Sequence, residues 1–161
     1  ICPTTEANLG DGLFPLRDYL DLGGHWGVGS DSHVSVSPVE ELRWLEYGQR
    51  LVTRRRNIAA TPAQPSVGTT LFDGVQASAA RATGFTAGAL AGDGLVLDGD
   101  APALVGSAPG HVLDRWLFAG NRPVVDTVEV AGRTVVRNGQ HVHRAGTEAA
   151  FARAMRTLLQ D

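Results

Sequence analysis

The 161-residue sequence has a single cysteine, Cys2. That excludes an intramolecular disulfide and any metal site built from several cysteines. A lone thiol beside Ile1 and Pro3 reads as a small apolar core residue. Apolar runs are short: none approaches the roughly 20 residues that cross a bilayer, and no signal-peptide pattern opens the chain. Charge of either sign is scarce in excess. The formal net charge is -3, which implies no polyanion-binding surface. The run Arg54-Arg55-Arg56 lacks the surrounding basic field of a nucleic-acid patch and reads as the solvated last turn of a helix. The chain also lacks an initiating Met. Ile1-Cys2-Pro3 opens inside what reads as a buried element, so a natural N-terminal part is expected to be missing.

What is present is enough chain for a core and one stretch that organises it, Gly24-His25-Trp26-Gly27-Val28-Gly29-Ser30-Asp31-Ser32-His33. Its small and apolar residues, flanked by turn chemistry, read as a short buried parallel strand. Asp31 stands at the carboxyl end, where parallel α/β folds bind ligands. An aspartate there can hold a metal, accept a proton or orient a polar substrate. The alternative is a turn or capping aspartate.

In chain order, residues 1–5 read as a strand end and 6–12 as a loop. Phe14 to Leu22 reads as a helix stopped by Gly23-Gly24. With the strand that follows, this is the size of a βαβ unit. Ser37-Pro38-Val39-Glu40 is a capping box, opening a helix whose apolar side is Val39, Leu42, Leu45 and Tyr47 or Gly48, with Trp44 beside it. Ser66 to Thr83 reads as a helix lined by Val67, Leu71, Val75, Ala79 and Ala82, with Gly68 and Gly74 permitting close approach. Gly84 closes it.

Composition then shifts to short strands. Leu95-Val96-Leu97 is one. His111 to Ala119 reads as a helical turn or two leading into an apolar strand. Val124–Val130 and Thr134–Arg137 are further strands, Asn138-Gly139 a type I′ hairpin signal, and Gln140–Arg144 the last strand. Thr147 reads as the cap of a final helix with a stripe of Phe151, Met155, Leu158 and Leu159. His141 and His143 fall on one face of the last strand by alternation. Without a further ligand nearby they read as solvated hairpin residues rather than a metal pair. His25 and His111 read as structural.

Three motifs carry a family resemblance: Cys2-Pro3-Thr4-Thr5-Glu6-Ala7-Asn8-Leu9-Gly10-Asp11-Gly12, Gly29-Ser30-Asp31-Ser32-His33, and Glu40-Glu41-Leu42-Arg43-Trp44-Leu45-Glu46-Tyr47-Gly48-Gln49-Arg50. Together they resemble the C-terminal part of the formimidoylglutamate deiminase family. This family lies in the amidohydrolase superfamily, in the branch with adenosine-type and guanine deaminases. Val128 to Gly139 is similar, less specifically, to the closing β-sandwich strands of that superfamily. The stretch Leu90–Asp98 is shorter than the family's usual passage into the sandwich.

The resemblance implies an α/β fold: the C-terminal portion of a (β/α)8 metal-dependent hydrolase barrel plus part of a small β-sandwich. It implies last barrel strands and helices over 1–88, sandwich over 89–146 and a terminal helix over 147–161. A whole barrel needs about 250 residues. It further implies a zinc cofactor with Asp31 as metal ligand and general base. The implied reaction is hydrolysis of N-formimino-L-glutamate to N-formyl-L-glutamate and ammonia in histidine degradation. Asn8, Ser32 and His33 are expected on the catalytic-end loops, as contacts to the ligands or the substrate. The isolated piece is expected to be inactive without the missing N-terminal part of the same polypeptide, and a cytoplasmic homodimer is expected of the whole. No nucleic-acid or membrane partner is expected. The alternatives are a purine-type aminohydrolase, for a guanine- or adenosine-like substrate, and a non-catalytic α/β module used for binding or assembly.

Overall fold

A computed structural model describes residues 1–85 and 92–160. The chain parts into two compact units, Ile1–Ala87 with Asp100–Asn121, and Gly88–Gly99 with Arg122–Asp161. The boundary expected between 88 and 89, and the first two residues of the short stretch Leu90–Asp98, lie outside the described residues. Residues 100–121, expected with the sandwich stretch 89–146, pack instead in the first unit. The reason is that Leu117 is fully buried in that unit's core. The Arg43 guanidinium also holds Leu117 O at 2.6 Å, Gly120 O at 2.6 Å and Asn121 Oδ1 at 2.8 Å.

The first unit is helical. Helix α1 spans Pro3–Leu9, where a strand end was expected. Pro3 suits the first helical position, and the Cys2 N–H donates to Glu6 Oε1 at 2.8 Å, so the chain turns helical directly after Cys2. Cys2 is half-buried rather than in the core. Helix α2, Leu16–Asp21, is shorter than the expected 14–22. The stretch 24–33 carries no assigned strand. Among the described residues, Ile1 pairs with it in strand fashion: Ile1 N donates to Gly27 O at 3.0 Å and Gly29 N to Ile1 O at 3.1 Å. Those two bonds have the alternation of a parallel pair, too short to count as a ladder. Trp26 is nevertheless buried, with its N–H on Ser78 Oγ at 3.1 Å.

Helix α3, Pro38–Thr53, begins as its capping sequence dictates, with Ser37 Oγ accepting from Glu40 N at 3.3 Å. It ends at Arg54, whose φ is +53°. Leu42, Leu45 and Gly48 are buried as expected, but so are Glu41 and Glu46, while Trp44 and Tyr47 are exposed. Helix α4, Val67–Thr83, is capped by Ser66 and closed by Gly84. Helix α5, Val112–Phe118, follows a 3-10 turn over Pro109–His111, and the apolar strand expected here does not form. The helix persists because it delivers Leu117 to a core of Leu16, Trp26, Leu42, Leu45, Ala59, Val67 and Leu71.

The second unit is an antiparallel meander in the order β1-β2-β3-β4, with β1 Gly94–Leu97, β2 Val125–Val130, β3 Arg133–Arg137 and β4 Gln140–His141. Asn138 and Gly139, at φ +51° and +70°, make the β3–β4 turn, as a type I′ pair requires. The last strand was expected to reach Arg144. It stops at His141, and helix α6 begins at Arg144 instead of after a Thr147 cap. Thr147 lies inside α6, its hydroxyl donating to His143 O at 3.1 Å. The expected stripe on α6 is present but uncovered: Phe151, Leu158 and Leu159 are 66%, 70% and 78% exposed.

Gly68 shows how tightly the first unit is built. A Cβ there would meet Leu113 C and Asp114 N at 2.5 Å, both backbone atoms that cannot swing aside. The Gly68 N–H also donates to Asp114 Oδ1 at 2.7 Å. Gly68→Ala is expected to lower stability by about 1–3 kcal/mol, the cost of overpacking. Gly110→Ala, with nothing within 4 Å of its Cβ, is expected to change it by less than about 0.5 kcal/mol. Urea unfolding of the two variants measures both.

Candidate functional site

Asp31 sits on a four-residue turn. His33 N donates to Ser30 O at 2.8 Å, and Asp31 occupies the first central position at φ +45°. That backbone region favours glycine, and holding a side-chain-bearing residue in it costs up to about 1–2 kcal/mol, less for aspartate than for most. The surroundings must therefore fix the turn. Thr5, 3% exposed, is what fixes it. Its hydroxyl donates to Ser30 O at 2.7 Å and accepts from His33 N at 3.1 Å. One hydroxyl thus bridges both ends of the turn.

Thr5 is itself anchored through its neighbour. Thr4 N donates to Glu41 Oε2 at 2.9 Å, and the Thr4 hydroxyl donates to Glu41 Oε1. Glu41 is 1% exposed, so its carboxylate is satisfied by the first turn of α1 rather than by water. Two consecutive threonines thus join α1 to α3 and to the Asp31 turn. A second buried carboxylate, Glu46, accepts from Arg50 Nε at 2.8 Å, Ile58 N at 2.8 Å and Ala59 N at 3.0 Å. Sequence reasoning missed Thr4, Thr5, Glu41 and Glu46. The available signal was a pair of glutamates flanking Leu42 and Leu45 on the packed side of a helix.

Of the residues expected at the site, Asp31 and Ser32 are exposed, and His33 is half-buried with Nδ1 at 2.8 Å from Ser35 Oγ. The turn brings these three together. Asn8 is exposed on the last turn of α1, and no hydrogen bond joins it to them. His25 Nε2 lies at 2.6 Å from Arg81 Nη1. The rings of His141 and His143 are 5.6 Å apart. A surface cavity of about 330 Å³ in the first unit is lined by Arg50, Arg56, Asp114, Arg115 and Phe118 among others, and by none of the expected site residues.

A metal requires several donors. Asp31 suits one position: it is an exposed carboxylate, a hard anionic donor, and among the described residues no hydrogen bond or ion pair engages it. No group of three metal-capable side chains gathers among the described residues. Among the described residues, the donors that could gather around Asp31 therefore amount to that one side chain.

The chain is 51% identical to formimidoylglutamate deiminase of Pseudomonas aeruginosa over 163 aligned residues, 99% of this chain and 36% of that protein. Its fold superposes on a Brucella melitensis amidohydrolase with a TM-score of 0.87, at 42% identity over 98% of this chain and 35% of that one. The chain belongs to the amidohydrolase superfamily. Atrazine chlorohydrolase from Arthrobacter aurescens, complexed with zinc, shares the fold at 23% identity and a TM-score of 0.61, over 88% of this chain and 31% of that one. No family model matches. The chain thus spans about a third of the length of the amidohydrolases it matches. With one ligand in hand, the 161-residue piece alone is expected to bind zinc no better than its Asp31→Asn variant. Calorimetric titration checks this; an Asp31-dependent site of micromolar affinity or better would show that the piece completes a metal centre by itself.

Proposed function

We propose that the full-length protein carrying this chain hydrolyses N-formimino-L-glutamate to N-formyl-L-glutamate and ammonia, in histidine degradation. The observation that carries the proposal is the 51% identity, over 99% of this chain, to a protein named for that deiminase activity. In this reading residues 1–88, with 100–121 packed among them, supply the last strands and helices of a (β/α)8 barrel, the rest of 89–146 the C-terminal part of the sandwich, and 147–161 the terminal helix. Asp31 is a metal ligand and the general base. Asn8, Ser32 and His33 are contacts to the ligands or the substrate, and the assembled enzyme is a cytoplasmic homodimer.

The chemistry follows from a carboxylate beside a water molecule. A divalent metal, zinc in this proposal, supplies the acidity that makes water a nucleophile near neutral pH. Asp31 accepts the proton that this water loses. The oxygen adds to the formimino carbon, its C=N bond becomes single, and the carbon becomes tetrahedral. Asp31 returns the proton to that nitrogen; the added hydroxyl then gives up its own proton, which Asp31 passes to the same nitrogen as the C–N bond breaks, so ammonia leaves and the oxygen is left doubly bonded to carbon. The carbon is then a formyl group. No oxidant or second substrate is needed.

A second reading, a purine-type aminohydrolase, draws on 26% identity to 5-methylthioadenosine/S-adenosylhomocysteine deaminase of Pyrococcus furiosus, over 86% of this chain and 33% of that protein. The same attack on an amidine-like carbon serves both, so the pocket decides. A flexible dicarboxylate needs cationic or multiply hydrogen-bonding partners, and a flat purine needs stacking surface. In the neighbourhood of Asp31 the chain offers Trp26, and that ring is buried against Gly74 in the core. This favours the linear substrate.

Two outcomes follow. Asp31→Asn keeps shape and removes charge and most basicity. In the full-length enzyme it is expected to lower kcat by at least about 100-fold, the lower end for general acid–base catalysis, with an unchanged circular dichroism spectrum. Separately, kcat/KM with zinc is expected to rank formiminoglutamate well above guanine and adenosine. The reverse order would move the protein to the second reading.

A further inference from the structure

The Asp31 turn holds a backbone geometry that glycine would adopt without cost, yet the residue there carries a carboxylate. Three hydrogen bonds converge on the turn's two ends: His33 N to Ser30 O, Thr5 Oγ1 to Ser30 O, and His33 N to Thr5 Oγ1. The side chain in this arrangement is the buried Thr5. Nothing else in the described hydrogen bonding ties the turn to a helix. The His33 ring bonds to Ser35, within the loop.

We propose that Thr5 is a positioning residue for Asp31: its hydroxyl clamps both ends of the turn and thereby sets where the Asp31 carboxylate stands, resting on the reading of Asp31 as the working carboxylate of a hydrolase. The clamp is rigid because it is grounded. Thr5 lies in the first turn of α1, which Glu41 grips through both the amide and the hydroxyl of Thr4. The route from the packed face of α3 to the candidate base is therefore Glu41, Thr4, Thr5, then the Ser30–His33 turn. Without the Thr5 hydroxyl, Ser30 O and His33 N keep only each other. A single turn bond must then hold a strained φ, and the turn relaxes toward commoner geometries with the carboxylate displaced. A displacement of the order of 1 Å in a reacting group costs about 100-fold in rate.

The test uses the full-length enzyme. Thr5→Val keeps the shape and deletes the hydroxyl. It is expected to lower kcat by about 10- to 100-fold while KM moves less than about threefold, because the substrate's other contacts are untouched. Thr5→Ser, which keeps the hydroxyl, is expected to recover most of the loss. If the Val variant fails to fold, Thr5→Ala against Thr5→Ser gives the same comparison. The deciding readout is a double-mutant cycle: in an Asp31→Asn background Thr5→Val is expected to cost little further, since Thr5 acts through Asp31. Full activity in Thr5→Val, no recovery in Thr5→Ser, or strict additivity with Asp31→Asn overturns the proposal. If the unmodified enzyme does not release ammonia from formiminoglutamate, the functional reading has failed instead. The clamp is then judged by crystallography, where Thr5→Val is expected to lose the Ser30–His33 bond or the positive φ at residue 31. An unchanged turn sinks it.

Discussion

A buried carboxylate must be paired, because an unpaired charge away from water is among the most expensive features a fold can carry. Helix α3 buries two, Glu41 and Glu46, on the side that also carries Leu42 and Leu45. Each is met by backbone N–H groups from another segment: Thr4 for Glu41, Ile58 and Ala59 for Glu46. The helix thus dictates where the start of α1 and the loop before α4 must lie. The apolar core supplies the bulk of the burial, but it is non-directional. The carboxylates supply register. Removing a partner would strand a charge, which is why these contacts constrain the chain more than their number suggests.

Helices with strong punctuation were the most legible part of the fold. Ser37-Pro38-Val39-Glu40 and Ser66 each cap as their chemistry requires, and Gly84 closes α4. The Asn138-Gly139 turn was equally plain, since both residues needed positive φ. The misreadings came where long-range context outweighs local pattern. Residues 1–5 looked like a strand end because they are apolar at the start, yet Pro3 and the Glu6 cap turn them helical. The stretch 24–33 has the composition of a covered strand, but a strand is defined by partners. Among the described residues, Ile1 alone provides a strand-like one. His111 to Ala119 reads as apolar in either period, and Leu117 decided for a helix by reaching the first unit's core.

For the candidate site, the sequence singled out Asp31, and the motifs around it pointed to the amidohydrolases. What could not be read was its support. Thr4 and Thr5 are unremarkable letters, and their importance lies in hydrogen bonds to residues 25 to 37 positions away. Glu41 and Glu46 were legible in principle: acids on the apolar side of an amphipathic helix demand donors. The identity of those donors is a tertiary fact that no local window contains. The same holds for Arg43, which on a helix surface looks like a solvating charge and instead ties down the end of α5.

On the proposed reading of Asp31 as the working carboxylate, the left-handed backbone there sets stability against activity. Glycine at that position would relieve up to about 1–2 kcal/mol of strain and give back about 0.5–1 kcal/mol in the added freedom of the unfolded chain, leaving a small net gain. A selection for thermal robustness alone would therefore drift toward glycine there and delete the carboxylate. A selection for turnover would hold the aspartate and tolerate the strain. On that reading, laboratory evolution under heat, without a demand for product, would erode function at this turn.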